Sequence, residues 1–278
     1  MNLQIRTLHS PAEMEEVQDL QRLVWPGSEA DVIPVHVLLT FAHNGGLVLG
    51  AYDGQQLAGI SIGFPGLYPT PAGLRAKHCS HELGVHPHWR DSGVGYALKC
   101  AQREQVRAQN LALITWTYDP LLSRNAHLNI ARLGAVCNTY LREVYGEMRD
   151  GLNAGLASDR FQVDWWIDSP RVAQRLEANS APRRESPEDL PRLYPVLAQK
   201  NFIAPAAPPP VPSESRFLVE IPPDFLALKA ADFALARDWR FYTREVFENC
   251  FRCGYSVSDF LYSPHPARSF YLLEKIAP

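Results

Sequence analysis

The sequence predicts an α/β fold, with helices flanking a sheet and a smaller α/β unit after it. Three observations predict it. Residues 78–110 read as a strand, a glycine-rich turn and an amphipathic helix. Leu111–Tyr118 is a continuous apolar run directly after that helix, as expected of a strand inside a sheet. Asp53-Gly54 separates two apolar, strand-like runs as a hairpin turn would.

In chain order, Leu3–Leu8 reads as the first strand. Ser10 and Glu13 form a capping-box pattern with Pro11 at the first helical position, so a helix is expected from Pro11 to about Val24. Trp25-Pro26-Gly27 stops it. Val35–His43 is a shorter helical stretch ended by Asn44-Gly45-Gly46, and Leu47–Tyr52 and Gln56–Phe64 are the arms of the hairpin. The strand Cys79–Val85 alternates, with Cys79, His81, Leu83 and Val85 on one face and Ser80, Glu82 and Gly84 on the other. Pro87 ends it. The turn Arg90-Asp91-Ser92-Gly93-Val94-Gly95 opens a helix over Tyr96–Gln109, whose apolar positions are Ala97, Leu98, Ala101 and Val106. Beyond Leu111–Tyr118, Asp119-Pro120 turns the chain, Leu122–Leu133 is helical with Gly134 past its end, and Val136–Val144 and Phe161–Ile167 are strands.

The composition shifts at Asp168. Leu176–Leu197 is charged and helical in part, and Phe202–Ser215 is a proline-rich, extended linker. Phe217–Ile221, Asp224–Cys253 and Tyr255–Tyr262 then read as strand, long helix and strand, with Ser269–Leu273 a last strand. The expected domains are therefore 1–167, a linker over 168–215, and a C-terminal α/β extension over 216–278. The run LVEIPPDF echoes ELGVHPHW, so a degenerate second copy of one half-domain and a plain structural appendage both stand open.

Composition narrows the function. The chain has 278 residues, 46% hydrophobic and 21% charged, with a net charge of −3. That balance predicts neither nucleic acid nor an anionic membrane as a partner. No apolar run is long enough to span a bilayer, MNLQIRTLHS is no signal peptide, and five scattered cysteines are no disulfide framework. A cytoplasmic protein is the expectation.

A glycine-rich turn opening a helix has a chemical use. The first helical N–H groups lack intrahelical partners and carry the positive end of the helix dipole, so they receive phosphate or pyrophosphate. Arg90 adds a formal charge and a fork of donors. A dinucleotide fingerprint would need a third glycine at Leu98 and an acidic residue where the apolar run Leu111–Ile114 stands. Strand, Leu83-x-Val85-x-Pro87, Arg90-x-x-Gly93-x-Gly95 and helix together resemble the acyl-CoA-binding motif of the GNAT superfamily of N-acyltransferases. The run from Trp116 to Trp166 is similar to a long subgroup of that superfamily. The resemblance implies a mixed, mostly antiparallel sheet whose central strands splay to admit the pantetheine arm. It places the pyrophosphate on Arg90, Asp91, Ser92, Gly93, Val94, Gly95 and Tyr96, and the pantetheine on the backbone of Leu83, Gly84 and Val85. Asn125 matches an asparagine that contacts CoA in members of the superfamily.

Acyl transfer from a thioester to an amine needs a base, a polarised carbonyl and protonation of the leaving thiolate. The resemblance puts the base on the strand before the turn. There the period of two places His81 beside Cys79 on the substrate face, and a histidine pKa of about 6.5 suits the task. Glu82 is the second candidate, on the opposite face unless the register shifts by one. The backbone N–H near Leu83 would polarise the carbonyl. The acid expected by resemblance is a tyrosine four residues before a glycine; Ile130 stands there, which leaves Tyr118, Tyr140 and Tyr145 as the phenols at hand. Arg124, Arg132, Arg142, Arg149 and Arg160 include candidates for a carboxylate fork, on an amino-acid acceptor or a dicarboxylic acyl group such as succinyl. His78, His81, His86 and His88 do not converge, and Cys250-x-x-Cys253 has no second pair, so no metal is expected.

The expectation is an N-acyltransferase that uses acetyl-CoA or another acyl-CoA as co-substrate and acts on a small-molecule amine. A non-catalytic acyl-CoA-binding regulator is the alternative, and a homodimer through the C-terminal extension is an arrangement its long helix allows.

Overall fold

In the computed structural model, which describes residues 2–146, 155–177, 186–199, 201–206 and 212–275, β1 (Leu3–Thr7) leads into α1 (Pro11–Val24) through the expected cap. The Glu13 amide donates to Ser10 Oγ at 3.3 Å, and the Ser10 amide donates to Glu13 Oε2 at 2.9 Å. α2 (Val35–His43), β2 (Leu47–Asp53), β3 (Gln56–Thr70), β4 (Gly73–Val85), α3 (Val94–Ala108) and β5 (Leu113–Tyr118) follow. Contacts divide the chain into two units, the first running to Trp116 and the second beginning at Thr117. Ile167, where composition placed the end of the first domain, lies inside the second unit.

The first unit is a layered sheet. β1, β2, β3 and β4 pair antiparallel in chain order, and the β2–β3 hairpin turns at Gly54, whose φ of +63° is a left-handed conformation open to glycine. α1 and α2 cover one face, where Leu8, Met14, Val17, Leu20, Leu38, Ile60 and Ile62 form a core. α3 covers the other face, with Val94 and Leu98 so close over Gly59 that a Cβ there would meet them at 2.8 and 3.1 Å.

β3 and β4 are longer than the sequence implies. Pro65, Pro69 and Pro71 argue against strand, yet the ribbon continues to the pair Thr70↔Gly73. Leu67 and Leu74 on it are 62% and 69% exposed. Two strands alone need fewer ladder donors than a central strand does, so proline is tolerated there.

After β4 the chain returns through α3 to β5, which runs parallel to β4. Among the described residues the two pair only at His78↔Ile114 and Cys79↔Thr115. Beyond these pairs they part. This order, antiparallel strands ending in a splayed parallel pair, is the GNAT arrangement that the resemblance implies.

The second unit carries further strands and helices. α4 (Ser123–Ala126) widens into a π-turn over His127–Arg132, where one regular helix was expected. β6 (Val136–Leu141), β7 (Arg160–Trp166), α5 (Pro170–Leu176), β8 (Val196–Gln199), β9 (Phe202–Pro205) and β10 (Arg216–Ile221) follow. Part of the supposed linker is thus strand, since β9 pairs antiparallel with β8; residues 207–211 of that linker lie outside the described residues. The long helix is two helices, α6 (Phe225–Ala231) and α7 (Phe233–Arg252), because Asp232 turns its carboxylate to the Leu235 amide at 3.0 Å and starts a new helix. β11 (Tyr255–Pro264) and β12 (Ala267–Lys275) complete the order β7-β6-β11-β12-β10. β12 separates β10 from β11, whereas β4 and β5 pair directly, so the echo of ELGVHPHW in LVEIPPDF does not repeat that connection.

Arg240, 2% exposed, holds Asp119 with both terminal nitrogens, and Arg160 Nη1 lies 3.9 Å from the same carboxylate. Removing one partner strands the other as a buried charge. Asp119→Ala should therefore lower the unfolding free energy by about 3 kcal/mol or more, read as a lower urea midpoint. The double replacement Asp119→Leu with Arg240→Met should cost less than that single change.

Candidate active site

The site is built on β4 and the turn after it. The β3–β4 register runs Ile60↔Gly84, Ser61↔Leu83 and Ile62↔Glu82, then jumps to Gly63↔Ser80 and Phe64↔Cys79. His81 is the extra residue of a β-bulge, and a bulge reverses the alternation that a regular strand would keep. Glu82 therefore lies opposite Ile62 and Cys79 opposite Phe64, on one face with the α1–α2 core. The sequence had put Glu82 on the other face; the inserted residue corrects that.

The bulge separates the two base candidates by environment. His81 is exposed at the bulge with its ring 5.9 Å from Phe64, and partial desolvation lowers its pKa. Glu82 is half-buried, and its Oε2 is enclosed without a hydrogen-bond partner. Burial alone pushes its carboxyl up to about 7. A carboxylate in that state takes up a proton near neutral pH.

Leu83, Gly84 and Val85 pair with β3 along one edge, and their other edge is past the last β4–β5 pair. Trp25 packs on the α1 side of Gly84, where a Cβ would meet its ring at 3.1 Å. Leu83 and Val85 point the other way, toward Gly95 at the start of α3.

The turn then reverses the chain. Pro87–Trp89 forms a short 3₁₀ turn with Arg90 at its end, Asp91 adopts a φ of +65°, and Ser92 Oγ donates to the Trp89 carbonyl. Gly93, at φ +89°, is the N-cap of α3 and brings no side-chain acceptor to it. In α1 the Glu13 amide is capped by the Ser10 side chain, whereas Gly93 offers the start of α3 no side-chain cap. A Cβ at Gly95 would meet Val85 and Leu83 at 3.6 and 3.7 Å, ordinary contact distances, and one at Gly93 would meet nothing within 4 Å.

No protein-family model matches the sequence, and no curated protein matches it. Among solved structures, an acetyltransferase of the GNAT family from Streptococcus pneumoniae is similar at 16% identity and a TM-score of 0.45, over 59% of this chain and 98% of that one. Arabidopsis thaliana NAA60 in complex with acetyl-CoA is similar at 15% identity and a TM-score of 0.47, over 60% of this chain and all of that one (100%). The first unit has the mixed, mostly antiparallel sheet that the resemblance implies.

The remaining candidates fall in the second unit. Asn125 lies on α4. Tyr118 Oη shares a hydrogen bond of 3.2 Å with Tyr271, Tyr140 donates to Asp159 at 2.8 Å, and Tyr145 pairs with Thr117 at 2.7 Å. Each phenol is engaged within its own unit. Arg142 forks onto Glu248, and Arg160 faces Asp119 and donates to the Asp159 carbonyl, so neither presents an open fork. Arg149 lies outside the described residues. No helix of the described residues is long and apolar enough to cross a membrane.

One group was missed. The buried positions of α3 are Val94, Leu98, Lys99, Gln102 and Val106, while Ala97 and Ala101 are only half-buried. Hydrophobic periodicity reads Lys99 and Gln102 as solvent-facing because they are polar. Their burial depends on Ser80 and His78, which meet them from β4.

Proposed function

We propose that this protein is an acyl-CoA-dependent N-acyltransferase. It transfers an acyl group, acetyl by default, from CoA to the amine of a small metabolite or amino acid by direct attack. The observation that supports this best is a coincidence along one strand: an unpartnered, half-buried carboxylate at Glu82, an unpaired backbone edge at Leu83–Val85, and an uncapped, glycine-opened helix at Gly93. The amides of Val94, Gly95 and Tyr96 receive the pyrophosphate, with Arg90 as its cation. The edge of Leu83–Val85 hydrogen-bonds the pantetheine, and an N–H there polarises the thioester carbonyl.

Glu82, rather than His81, takes the amine proton. Its raised pKa matches the task, since a base works best with a pKa near the working pH. The acyltransferase region is residues 1–167, with 216–278 as its extension.

Thiol release from a panel of acyl-CoAs, acetyl and succinyl included, against pooled amines and amino acids tests the reading. Release with one donor and one pool establishes the activity and its substrate class. A protein that neither binds CoA nor releases thiol from any donor refutes it.

A further inference from the structure

Lys99 is 1% exposed. Its ammonium donates to Ser80 Oγ at 2.7 Å and to Gln102 Oε1 at 3.2 Å, and it lies 3.7 Å from the centre of the Trp116 ring. Gln102 Nε2 is 3.3 Å from His78 Nε2, and His78 Nδ1 has no hydrogen-bond partner. No carboxylate among the described residues is paired with Lys99. A hydroxyl, an amide and a ring face are a poor substitute for a counter-ion, and a buried cation without one is costly.

The place of this ammonium in the fold gives it a use. β4 and β5 pair last at Cys79↔Thr115, and Ser80 and Trp116 are the next residue on each strand. Lys99 bonds the first and covers the second, so its ammonium marks the apex from which the two strands diverge. Along the axis of α3 it is six residues from Gly93, about 9 Å below the helix start. A ligand whose pyrophosphate sits on the helix start and whose arm runs between the strands is directed toward this apex.

We propose that Lys99 is the catalytic acid, delivering a proton to the sulfur of the departing CoA thiolate. This rests on the acyl-CoA reading above. The amine nitrogen attacks the thioester carbonyl carbon and the N–C bond forms, while the amine proton passes to Glu82. As the tetrahedral intermediate collapses, the C–S bond breaks with its electron pair on sulfur. The Lys99 ammonium then donates one proton, yielding CoA thiol and a neutral amine. Proton exchange with solvent returns Glu82 to carboxylate and Lys99 to ammonium.

Both forms of Lys99 are accessible at neutral pH, because burial draws its pKa down to about 7. His78, the titratable neighbour facing it from β4, is held neutral with a pKa of about 4, by burial first and the Lys99 charge second. α3 contributes Gln102 and β5 contributes Trp116, neither of which titrates. Lys99 thus supplies from α3 the proton donor that the sequence lacks at Ile130.

The test is the pH profile of acyl transfer. With Lys99 as the acid, kcat should fall as pH rises above 7 and the ammonium is lost. Lys99→Met should bind CoA with unchanged affinity, lose roughly 10²-fold or more in kcat and lose that falling limb. Lys99→Arg should do the same, because a guanidinium does not give up its proton. An unaltered protein whose kcat shows no falling limb overturns the proposal without recourse to any variant. Failure of CoA to bind at all overturns the acyl-CoA reading together with this one.

Discussion

Glu82→Gln should lower kcat by roughly 10²- to 10⁴-fold while leaving the affinity for acyl-CoA unchanged, the range expected when a general base is lost. Glutamine keeps the shape of the side chain and cannot accept the amine proton. The pH profile separates this role from a structural one. In the unaltered protein Glu82 titrates at about 7, so the rate should climb as pH rises toward 7 and the carboxylate forms, before loss of the Lys99 proton brings it down. That rising limb should vanish in the variant.

Stability should move in the opposite sense. The folded-state pKa of Glu82 is raised above the ordinary 4.5, so between about pH 4.5 and 7 the folded protein holds a proton that the unfolded chain has released. Stability therefore falls as pH rises through that window, by about 3 kcal/mol when ionisation is complete. Glu82→Gln should remove the slope and show the higher urea midpoint at pH 8. A variant with full activity and an unchanged pH profile would return the base to His81.

Gly95→Asp should weaken CoA binding by roughly 100-fold or more, about 3 kcal/mol, without unfolding the protein. Two observations separate the effects. A Cβ at Gly95 meets Val85 and Leu83 only at 3.6 and 3.7 Å, ordinary contact distances, and Gly95 has no positive φ to strain. A carboxylate in the first turn also suits the helix dipole, so the melting temperature should hold or rise. The same carboxylate occupies and repels the seat of the pyrophosphate. Calorimetric titration with CoA, beside thermal melting, checks both halves. Gly93 is the contrasting position: space is open there, but its φ of +89° penalises any side chain, so Gly93→Ala should cost stability first.

The second unit shows where local reading falls short. Its strands are apolar enough to be found, yet the break at Asp232 is not, because apolar spacing continues through Leu228, Ala231 and Leu235 as if the helix were unbroken. Only the capping bond to the Leu235 amide reveals it. The π-turn over His127–Arg132 is equally silent in sequence, since one widened turn leaves the apolar pattern almost intact.

What the sequence determined by itself is the local chemistry of the site. Ser10 with Glu13 starts α1, Asp53-Gly54 turns the hairpin, and Arg90 to Gly95 opens α3 without a cap; each acts over a few residues and is legible in them. What only the tertiary structure decided is which side chains meet. The β3–β4 register inserts His81 as a bulge and so turns Glu82 to the face of Cys79. The packing of α3 on β4 and β5 buries Lys99 between Ser80 and Trp116. Both depend on strand pairing across distant residues, and a shift of one position in such a pairing sends a side chain to the opposite face.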